Sequence, residues 1–444
     1  MSNATKNEKI KQSMQATRER HKNMTCRVFE LKLNTRKMSS TQREQLTTYF
    51  REAKWRRNDI VADFSKASRK AKSATVKVGD TFEERPFTIL GSQVIQDIYD
   101  SIKTEIKILH TKKEKGEKVG KLKFKSVCNC IPLRQYNTTY RIDFIRRLVR
   151  IQNIRKCFTV HGLEQIPPEA EITNAKLLRK ASGFYLHVTC FISKEQHKHT
   201  GRKVGIDFGI EHNLTLSSGE TIDICVSESK AVKLASKRLN QAYKRNGKKK
   251  TSNHYRRVKK LHRAYERDSN RRLDKANKAV HEILLNNDFV AIQDEMIHNW
   301  QAGLFGRQVQ HAAMGYIKAK LKTNSKTYVV SRSYPSTQIC PVCGGKTKQP
   351  LKKRDYDCSY CGFHHESRDV KSAQSILARA LYEVKVSPEQ RAKSLVEADT
   401  ATQVSQDILC KYSPKKQEAQ VFRLGSFTNE GRFNEDWNPI AGKM

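Results

Sequence analysis

Four cysteines form two closely spaced pairs that could bind one metal ion. Cys340 and Cys343 make the first Cys-x-x-Cys pair, and Cys358 and Cys361 make the second. In each pair the following glycine lets the backbone turn so that its N–H groups face sulfur, and two pairs complete a tetrahedral site. A redox dithiol would need only one pair. Four protein ligands leave no open position for a substrate, so the spacing predicts one structural Zn²⁺ ion.

The remaining cysteines and the nearby histidines have simpler explanations. Seven cysteines are scattered along a chain that begins without an apolar signal segment, so we expect reduced thiols packed as small hydrophobic residues. His364 and His365 follow the second cysteine pair. Because four thiolates already complete the metal site, we expect both histidines on the surface.

Two acidic residues stand where a strand and a helix are predicted, and could bind metal ions of a second kind. In residues 203–209, period-two alternation places Asp207 on the face opposite the core-facing side chains. The flanking glycines would let metal ions and a phosphate backbone approach closely. Asp369 stands at the start of a predicted helix, where it could instead serve as an N-cap.

A third acidic residue follows the buried strand predicted at residues 289–293. Hard divalent cations prefer ionised carboxylates, so Gln293 at the strand end is a poor ligand. Glu295 lies on the same strand face as Gln293, whereas Asp294 points the opposite way. We therefore choose Glu295 as the third ligand and keep Asp294 as the alternative.

The strongly basic composition indicates a polyanionic partner. Lys and Arg number 86 against 45 Asp and Glu, a formal net charge of +41. The densest basic run covers residues 244–272, with Tyr255 and Tyr265 interleaved, which favours a nucleic-acid track over a merely solvated helix face. The residues that we expect to contact phosphates are Lys248, Lys249, Lys250, Arg256, Arg257, Lys259, Lys260 and Arg263.

The elements that must position these residues change character along the chain. The first half alternates a strand at 24–34, helices at 39–74 and 89–111, and short strands over 121–193, so a helical block interrupts a β-rich module. In the second half, the sequence pattern predicts three hairpin strands at 203–225, a long basic helical region at 228–286 and a strand at 289–293. It then predicts a helix at 306–322, a strand at 327–332 and a final helix from Asp369. That order is typical of an α/β fold with a mixed sheet.

The order of these motifs resembles the RuvC-type nuclease of the TnpB proteins and of the miniature type V CRISPR effectors. The resemblance rests on GIDFG around Asp207, AIQDE around Glu295, the two cysteine pairs, and RDVKSAQSI around Asp369. It covers residues 203–380 and implies an RNase H-like (RuvC) domain with an inserted Cys₄ zinc ribbon. The β-rich module with its helical insertion is similar in layout to the family's wedge and recognition domains.

The resemblance implies an RNA-guided, Mg²⁺-dependent DNA endonuclease whose carboxylate triad is Asp207, Glu295 and Asp369. Two Mg²⁺ ions roughly 4 Å apart would activate the attacking water and stabilise the leaving oxygen, with Asp207 bridging them. The implied partners are a guide RNA and target double-stranded DNA, with a homodimer on one guide RNA as an open alternative to a monomer. Two residues depart from the family pattern: Gln293 stands where Glu is frequent, and Lys371 where Asn is common.

Three other functions remain open on the sequence alone. One is a nuclease-inactive RNA-guided DNA-binding protein, because losing one carboxylate disables such a site. Another is an RNA-independent resolvase or transposase of the same fold. The third is an actin-like kinase, which also opens with Gly-Ile-Asp-x-Gly but would explain neither the charge nor the cysteine pairs.

We divide the chain into seven segments and expect it to work in a prokaryotic cytoplasm, associated with the nucleoid and encoded by a transposon or a CRISPR locus. No apolar run approaches the ~20 residues that span a bilayer, so we expect no membrane partner. The segments are a basic N-terminus with the first wedge strand (1–38), the recognition insertion (39–118), the wedge module (119–202), the nuclease domain with its first two motifs (203–335), the zinc ribbon (336–366), the third-motif helix (367–385) and a C-terminal tail (386–444).

Overall fold

The computed structural model describes residues 3–194, 199–350 and 352–385 of the chain, with side chains from residue 7 onward. The described residues form two units, one within 3–194 and the other within 199–385. The predicted C-terminal tail, 386–444, lies outside the described residues.

The first unit joins an antiparallel sheet to a pair of packed helices. Its helices are α1 (Asn3–Lys22), α2 (Ser40–Ala62) and α3 (Ser92–Glu114). Its strands are β1 (Met24–Leu33), β2 (Ser73–Val78), β3 (Thr81–Pro86), β4 (Cys130–Leu133), β5 (Tyr140–Asp143), β6 (Leu148–Ile151), β7 (Phe158–His161), β8 (Glu171–Lys180) and β9 (Gly183–Ser193). A seven-stranded sheet runs in the order β4-β8-β9-β1-β7-β6-β5, and β2 pairs with β3 in a separate hairpin.

Alternating burial explains how this sheet meets the helices. In β9, Leu186, Val188 and Cys190 are buried while the residues between them are partly exposed. These side chains share one hydrophobic core with apolar residues of α2 and α3. Helix α2 begins at a capping box, in which the Ser39 hydroxyl accepts the Gln42 N–H and the Gln42 side chain accepts the Ser39 N–H.

The second unit is a mixed α/β structure. Its strands are β10 (Lys203–Phe208), β11 (Leu214–Leu216), β12 (Thr221–Ile222), β13 (Phe289–Gln293), β14 (Thr327–Val330), β15 (Tyr356–Asp357) and β16 (His364–His365). Its helices are α4 (Lys230–Arg245), α5 (Ser252–Asn286), α6 (Ile297–Ala302), α7 (Gly306–His311), α8 (Met314–Lys322) and α9 (Arg368–Lys385). Five strands form the main sheet in the order β12-β11-β10-β13-β14, and β15 pairs with β16.

The strand directions place the carboxyl end of β10 beside the carboxyl end of β13. β10, β11 and β12 are joined as antiparallel hairpins, whereas β13 is parallel to β10 and β14 is parallel to β13. Ile206 lies opposite Ile292 in the register of the parallel pair. The carboxyl ends of these two strands therefore meet at one edge of the sheet.

The two faces of this sheet pack against different helices. On one face Val204, Ile206 and Phe208, which the sequence assigns to the core, pack with apolar residues of α5 and α8. On the other face Ala291 and Val330 pack against α9. Asp207 alternates with these core residues along β10, so it faces α9.

The predicted mixed α/β class is confirmed, but several element boundaries were wrong. The helix predicted to reach residue 74 ends at Ala62, because the Asp63 carboxylate accepts the Ser65 and Lys66 N–H groups in a turn. The region 228–286 is two helices, separated where Gly247 adopts a left-handed φ of 58°.

Other differences concern elements whose sequence pattern is weak. The helix predicted at 306–322 breaks at Ala313, which has a φ of 51°. The short strands predicted over 121–193 rest on segments in which apolar and polar residues alternate. The first of these segments, 121–127, is irregular, whereas β4 and β8 form outside the alternating segments. The basic N-terminus folds as α1, which has little apolar periodicity.

Gly205 allows α9 to pack directly on β10. A Cβ atom at this position would collide with the Ala373 carbonyl oxygen and lie 2.9 Å from the Leu377 Cβ. The sequence analysis explained this glycine by the approach of metal ions and phosphates. The structure shows instead that the missing side chain makes room for the backbone of α9.

We predict that Gly205→Ala destabilises the second unit, because the new methyl group meets helix backbone that cannot rotate away. The expected decrease is about 1–3 kcal/mol of unfolding free energy, measured by chemical denaturation. Gly315→Ala is the matched control. Gly315 lies in α8 with open space around its Cβ position, so this change should be neutral or stabilise by up to about 1 kcal/mol. Equal stabilities of the two variants would contradict the packing argument.

Candidate active site and zinc centre

The four cysteines of the two Cys-x-x-Cys pairs meet at one point in the second unit. All four Sγ atoms lie within 4.8 Å of one another. Cys340 Sγ is 3.8 Å from Cys361 Sγ, and Cys343 Sγ is 3.6 Å from Cys358 Sγ. A tetrahedron with Zn–S bonds of about 2.3 Å has edges of about 3.8 Å. The thiol donors and their spacing therefore fit a zinc ion.

Glycines shape the backbone around these thiols. Gly344 and Gly362 each follow the second cysteine of a pair and adopt left-handed φ angles of 72° and 69°. The Gly345 N–H donates to Cys343 Sγ over 3.4 Å. Such N–H groups stabilise thiolate sulfur, so the loops suit metal-bound cysteine rather than neutral thiol.

A neighbouring group of potential ligands is already occupied by a lysine. The ligand atoms of Asp355, Asp357 and His364 lie within 4.8 Å of one another on an exposed part of the ribbon. The Lys353 ammonium forms ion pairs with both carboxylates, and His364 Nδ1 lies 2.6 Å from Asp357 Oδ1. We assign no ion to this group. His364 lies on the surface, as the sequence predicts.

Asp207, Glu295 and Asp369 lie on one side of the main sheet, near one edge. Asp207 lies near the carboxyl end of β10, and Glu295 follows the carboxyl end of the adjacent parallel strand β13. Asp369 belongs to the first turn of α9, which covers the same face. Three acidic residues that are distant in the sequence are therefore brought to one region of the fold.

The three carboxyl groups are coupled electrostatically. Burial raises the pKa of Asp207 to about 8, assisted by the negative charges of Asp369 and Glu295. Lys371 and Arg368 oppose this rise. Within the described residues, the three carboxylates are not a group whose ligand atoms all lie within 4.8 Å of one another. They therefore do not form a cage for a single ion.

The structure distinguishes Glu295 from Asp294. Asp294 is held by Lys318 at 2.7 Å and by Lys322 at 3.5 Å, and its hydrogen bond with Lys318 lowers its pKa. Glu295 instead has a pKa raised by burial, and it contributes to the electrostatic field at Asp207. Of these two residues, Glu295 is therefore the one whose charge acts on Asp207, although Lys318 and Arg332 partly offset the rise in its own pKa.

Gln293 has a structural role. Its buried Nε2 donates to the backbone carbonyls of Ser331, Arg332 and Tyr334, and its Oε1 accepts the Ser336 hydroxyl. The amide thus fixes the segment 331–336 that follows β14. A carboxylate could not donate these hydrogen bonds, so this position requires an amide.

Asp369 is not the cap of its helix. The Ser367 hydroxyl accepts the Val370 N–H, so Ser367 takes the N-cap role. Asp369 remains partly exposed, with its carboxylate 4.0 Å from the Arg354 guanidinium. Arg354 also contacts the Glu211 carboxylate at 2.5 Å. The capping alternative is therefore wrong, and the Asp369 carboxylate is available to a ligand.

The predicted nucleic-acid track lies on the α4–α5 hairpin. Lys248, Lys249 and Lys250 lie in the exposed loop between these helices, and Arg256, Arg257, Lys260 and Arg263 are exposed on α5. Lys259 is half-buried. Of the two interleaved tyrosines, Tyr265 is 44% exposed, whereas Tyr255 packs edge-on against His254.

Two cationic residues near the acidic cluster were not predicted to act there. Lys318 donates to the Glu295 carbonyl oxygen, and the guanidinium of Arg354 approaches Asp369 from the ribbon. Both belong to segments distant from the acids in sequence, and no local pattern marks them. Only the tertiary fold identifies them.

We predict that Asp207→Asn stabilises the Mg²⁺-free protein at pH 8. The folded-state pKa of Asp207 is about 8 against an ordinary 3.8, so the charged form is disfavoured in the folded state. Its cost to stability appears as pH rises from about 4 to about 8. We expect a higher Tm at pH 8, by roughly 2–4 °C per kcal/mol of repulsion removed, and no difference near pH 4.

Asp294→Asn is the control, and we expect it to change the Tm in the opposite direction. The pKa of Asp294 is lowered by Lys318, so its charged form contributes stability that is present at neutral pH and lost as pH falls. Calorimetry at pH 8 should therefore give a lower Tm for this variant. If both substitutions shift the Tm in the same direction, the electrostatic account of the cluster is wrong.

Comparison with known proteins bears on the same residues. Residues 186–299, which include Asp207 and Glu295, match the OrfB_IS605 family model, described as "Probable transposase". Residues 313–376, which include the four cysteines and Asp369, match the TNB domain of Cas12f1-like proteins. A protein of Streptomyces pristinaespiralis, named "Putative RNA-guided DNA endonuclease", is 30% identical over 225 residues.

These matches confirm the resemblance to TnpB and Cas12f-like proteins. The alignment with the Streptomyces protein covers 49% of this chain and 55% of that protein, so it spans about half of each. The two family matches fall in the second unit and at the end of the first. In the part of the chain that the structure describes, every helix is too short or too polar to cross a membrane.

Proposed function

We propose that this TnpB-like protein is an RNA-guided, Mg²⁺-dependent DNA endonuclease. The observation that carries the proposal is the position of Asp207. It lies near the carboxyl end of β10, the middle strand of the mixed sheet, where it is buried close to the charges of Asp369 and Glu295. The order and directions of the five strands support an RNase H-like (RuvC) fold for the second unit. The name of the Streptomyces relative supports RNA guidance and a DNA target.

The chemistry of the three carboxylates suits divalent cations. Hard oxygen ligands bind Mg²⁺, and a bound cation would favour the ionised form of Asp207, whose pKa is raised by burial and by the charges of Asp369 and Glu295. Bound Mg²⁺ would lower the pKa of the attacking water and neutralise charge on the phosphate. Asp207, Glu295 and Asp369 would together hold the Mg²⁺ ions.

The other residues of the site would hold these ligands in place. Lys318 binds the Glu295 backbone carbonyl and the Asp294 carboxylate, which orients the segment after β13. The Ser367 cap fixes the first turn of α9 and with it Asp369. The basic side chains of the α4–α5 hairpin would bind nucleic-acid backbone, since they form an exposed positive surface. The wedge and recognition assignments of the first unit are part of the same proposal.

We predict that Glu295→Gln abolishes cleavage while Asp294→Asn does not. The protein would be purified with its guide RNA and given matched double-stranded DNA and Mg²⁺. Loss of one carboxylate ligand should slow cleavage by about 10³ or more, because several kcal/mol of transition-state stabilisation are removed. Asp207→Asn and Asp369→Asn should behave like Glu295→Gln, and Asp294→Asn should remain within about tenfold of the wild type. Guided DNA binding should persist in all four.

Each of the other outcomes identifies a different error. If only Asp294→Asn loses cleavage, the third ligand is Asp294. If the wild type binds DNA through a guide but never cuts it, the protein is a nuclease-inactive binder. Cleavage without any copurified RNA would indicate a resolvase or transposase, the alternative favoured by the transposase family match.

We also predict that the loop of the α4–α5 hairpin contributes electrostatic binding. Substituting Lys248, Lys249 and Lys250 by alanine should reduce the slope of log affinity against log salt by about 0.7–0.9 for each phosphate that the loop no longer neutralises. Lys278→Ala is the control, since its ammonium already pairs with Asp274 at 2.8 Å on the same helix. Equal slopes for the triple variant and the wild type would remove this loop from the interface.

A further inference from the structure

A buried lysine occupies the space between the zinc ribbon and the acidic cluster. Lys371 on α9 is fully buried. Its ammonium donates to the backbone carbonyls of Ser336 at 3.0 Å and Ile339 at 3.1 Å, and lies 3.9 Å from the centre of the Tyr356 ring. Burying an ammonium group is costly unless its surroundings compensate the charge. Two carbonyl dipoles and the face of an aromatic ring provide part of that compensation.

The remaining compensation comes from two negative centres. Burial lowers the pKa of Lys371 to about 8, while the zinc-site cysteines Cys340 and Cys358, together with Asp207, oppose that shift by favouring the charged form. Ile339, whose carbonyl binds the ammonium, directly precedes Cys340, and Tyr356 packs in one small core with Cys340 and Cys358. Four thiolates around one Zn²⁺ leave two surplus negative charges. Lys371 therefore stands where a positive charge would partly balance the zinc centre.

A chain of buried polar contacts extends from Lys371 to the strand that precedes Glu295. The Ser375 hydroxyl binds the Ile339 carbonyl at 2.7 Å, beside the Lys371 contact. The Ser336 hydroxyl donates to the Gln293 side chain at 2.9 Å. The segment 331–339 is thus bound by β13 on one side and by α9 on the other. These are the elements that carry Glu295 and Asp369.

We propose that Lys371 is a positioning residue that joins the zinc ribbon to the acidic cluster, by balancing the charge of the zinc thiolates and holding the root of the ribbon against α9. Its effect on cleavage rests on the proposed function, whereas its effect on zinc does not. The Asn that the family commonly has here could replace a hydrogen bond but not the charge. The role is therefore specific to chains with a lysine at this position.

The test uses zinc release, which can be measured whether or not the protein cuts DNA. Full-length zinc-loaded protein is challenged with a colorimetric chelator, and the release rate is followed for the wild type, Lys371→Met and Lys371→Gln. Loss of a partner just outside the ligand shell typically weakens metal binding 10–100-fold, so we expect release to accelerate by about tenfold or more in both variants. Lys371→Gln retains an amide donor. If it releases zinc as fast as Lys371→Met, misfolding of the Met variant does not explain the faster release.

Two controls separate charge from packing and hydrogen bonding. Lys385→Met removes an exposed cation from the end of the same helix and should leave zinc release unchanged. Ser375→Ala removes the neighbouring hydrogen bond to Ile339 but keeps the ammonium, so its effect should be well below that of Lys371→Gln. If Ser375→Ala matches Lys371→Gln, hydrogen bonding alone explains the site and the proposal is overturned.

A spectroscopic readout distinguishes positioning from general stability. In Co²⁺-substituted protein, the ligand-field absorption reports the geometry and charge around the thiolates, and we expect it to shift in both Lys371 variants. A variant that changes only Tm, with wild-type release and spectrum, would refute the coupling. Where the wild type cleaves DNA, cleavage at saturating target should fall about tenfold with unchanged target affinity. Unaltered cleavage beside altered zinc release would refute the link to the acidic cluster.

Discussion

Burial of the Asp207 carboxyl group, reinforced by the negative charges of Asp369 and Glu295, is the constraint on which the acidic cluster depends. A carboxyl group buried next to two others remains protonated until about pH 8. Lys371 and Arg368 favour the ionised form of Asp207, whereas Lys318 holds Asp294 and Arg354 approaches Asp369 from the ribbon. The pKa of Asp207 nevertheless stays raised, so these cations do not cancel the effects of burial and of the two other carboxyl groups. That arrangement costs stability in the folded chain, as expected where a site is built for a ligand that supplies the missing positive charge.

The second unit can fold despite this loss of stability because the two faces of the main sheet have different roles. One face is a continuous apolar layer with α5 and α8 and contains Val204, Ile206 and Phe208. The other carries Gly205, Ala291 and Val330, small or aliphatic residues that let α9 lie close to the strands. The second face becomes acidic only at the carboxyl ends of β10 and β13, beyond this packing. The close approach of α9 is thus what delivers Asp369 to Asp207, and a side chain at position 205 would separate them.

Sequence patterns predicted the parts of this arrangement that depend on local periodicity. The alternation in β10 indicated which side of the sheet Asp207 occupies, and the apolar run 289–293 matched β13. The glycine loops after each cysteine pair indicated the geometry of the ribbon. What failed was set by single residues or by distant contacts. Gly247 and Ala313 interrupt helices whose periodicity continues through them, and β4 and β8 depend on pairing partners that a local window does not contain.

The two departures from the family pattern, Gln293 and Lys371, act on the same stretch of backbone. Gln293 donates to the carbonyls of Ser331, Arg332 and Tyr334, and Lys371 donates to those of Ser336 and Ile339. Both side chains are donors facing a row of carbonyl oxygens. A glutamate at 293 would place a charge among acceptors, and it would add a further carboxylate to a cluster that already repels itself. An amide at one end of the segment and an ammonium at the other bind different carbonyls of the same segment without adding negative charge. The proposed acidic ligand, Glu295, lies two residues later, where the strand has ended.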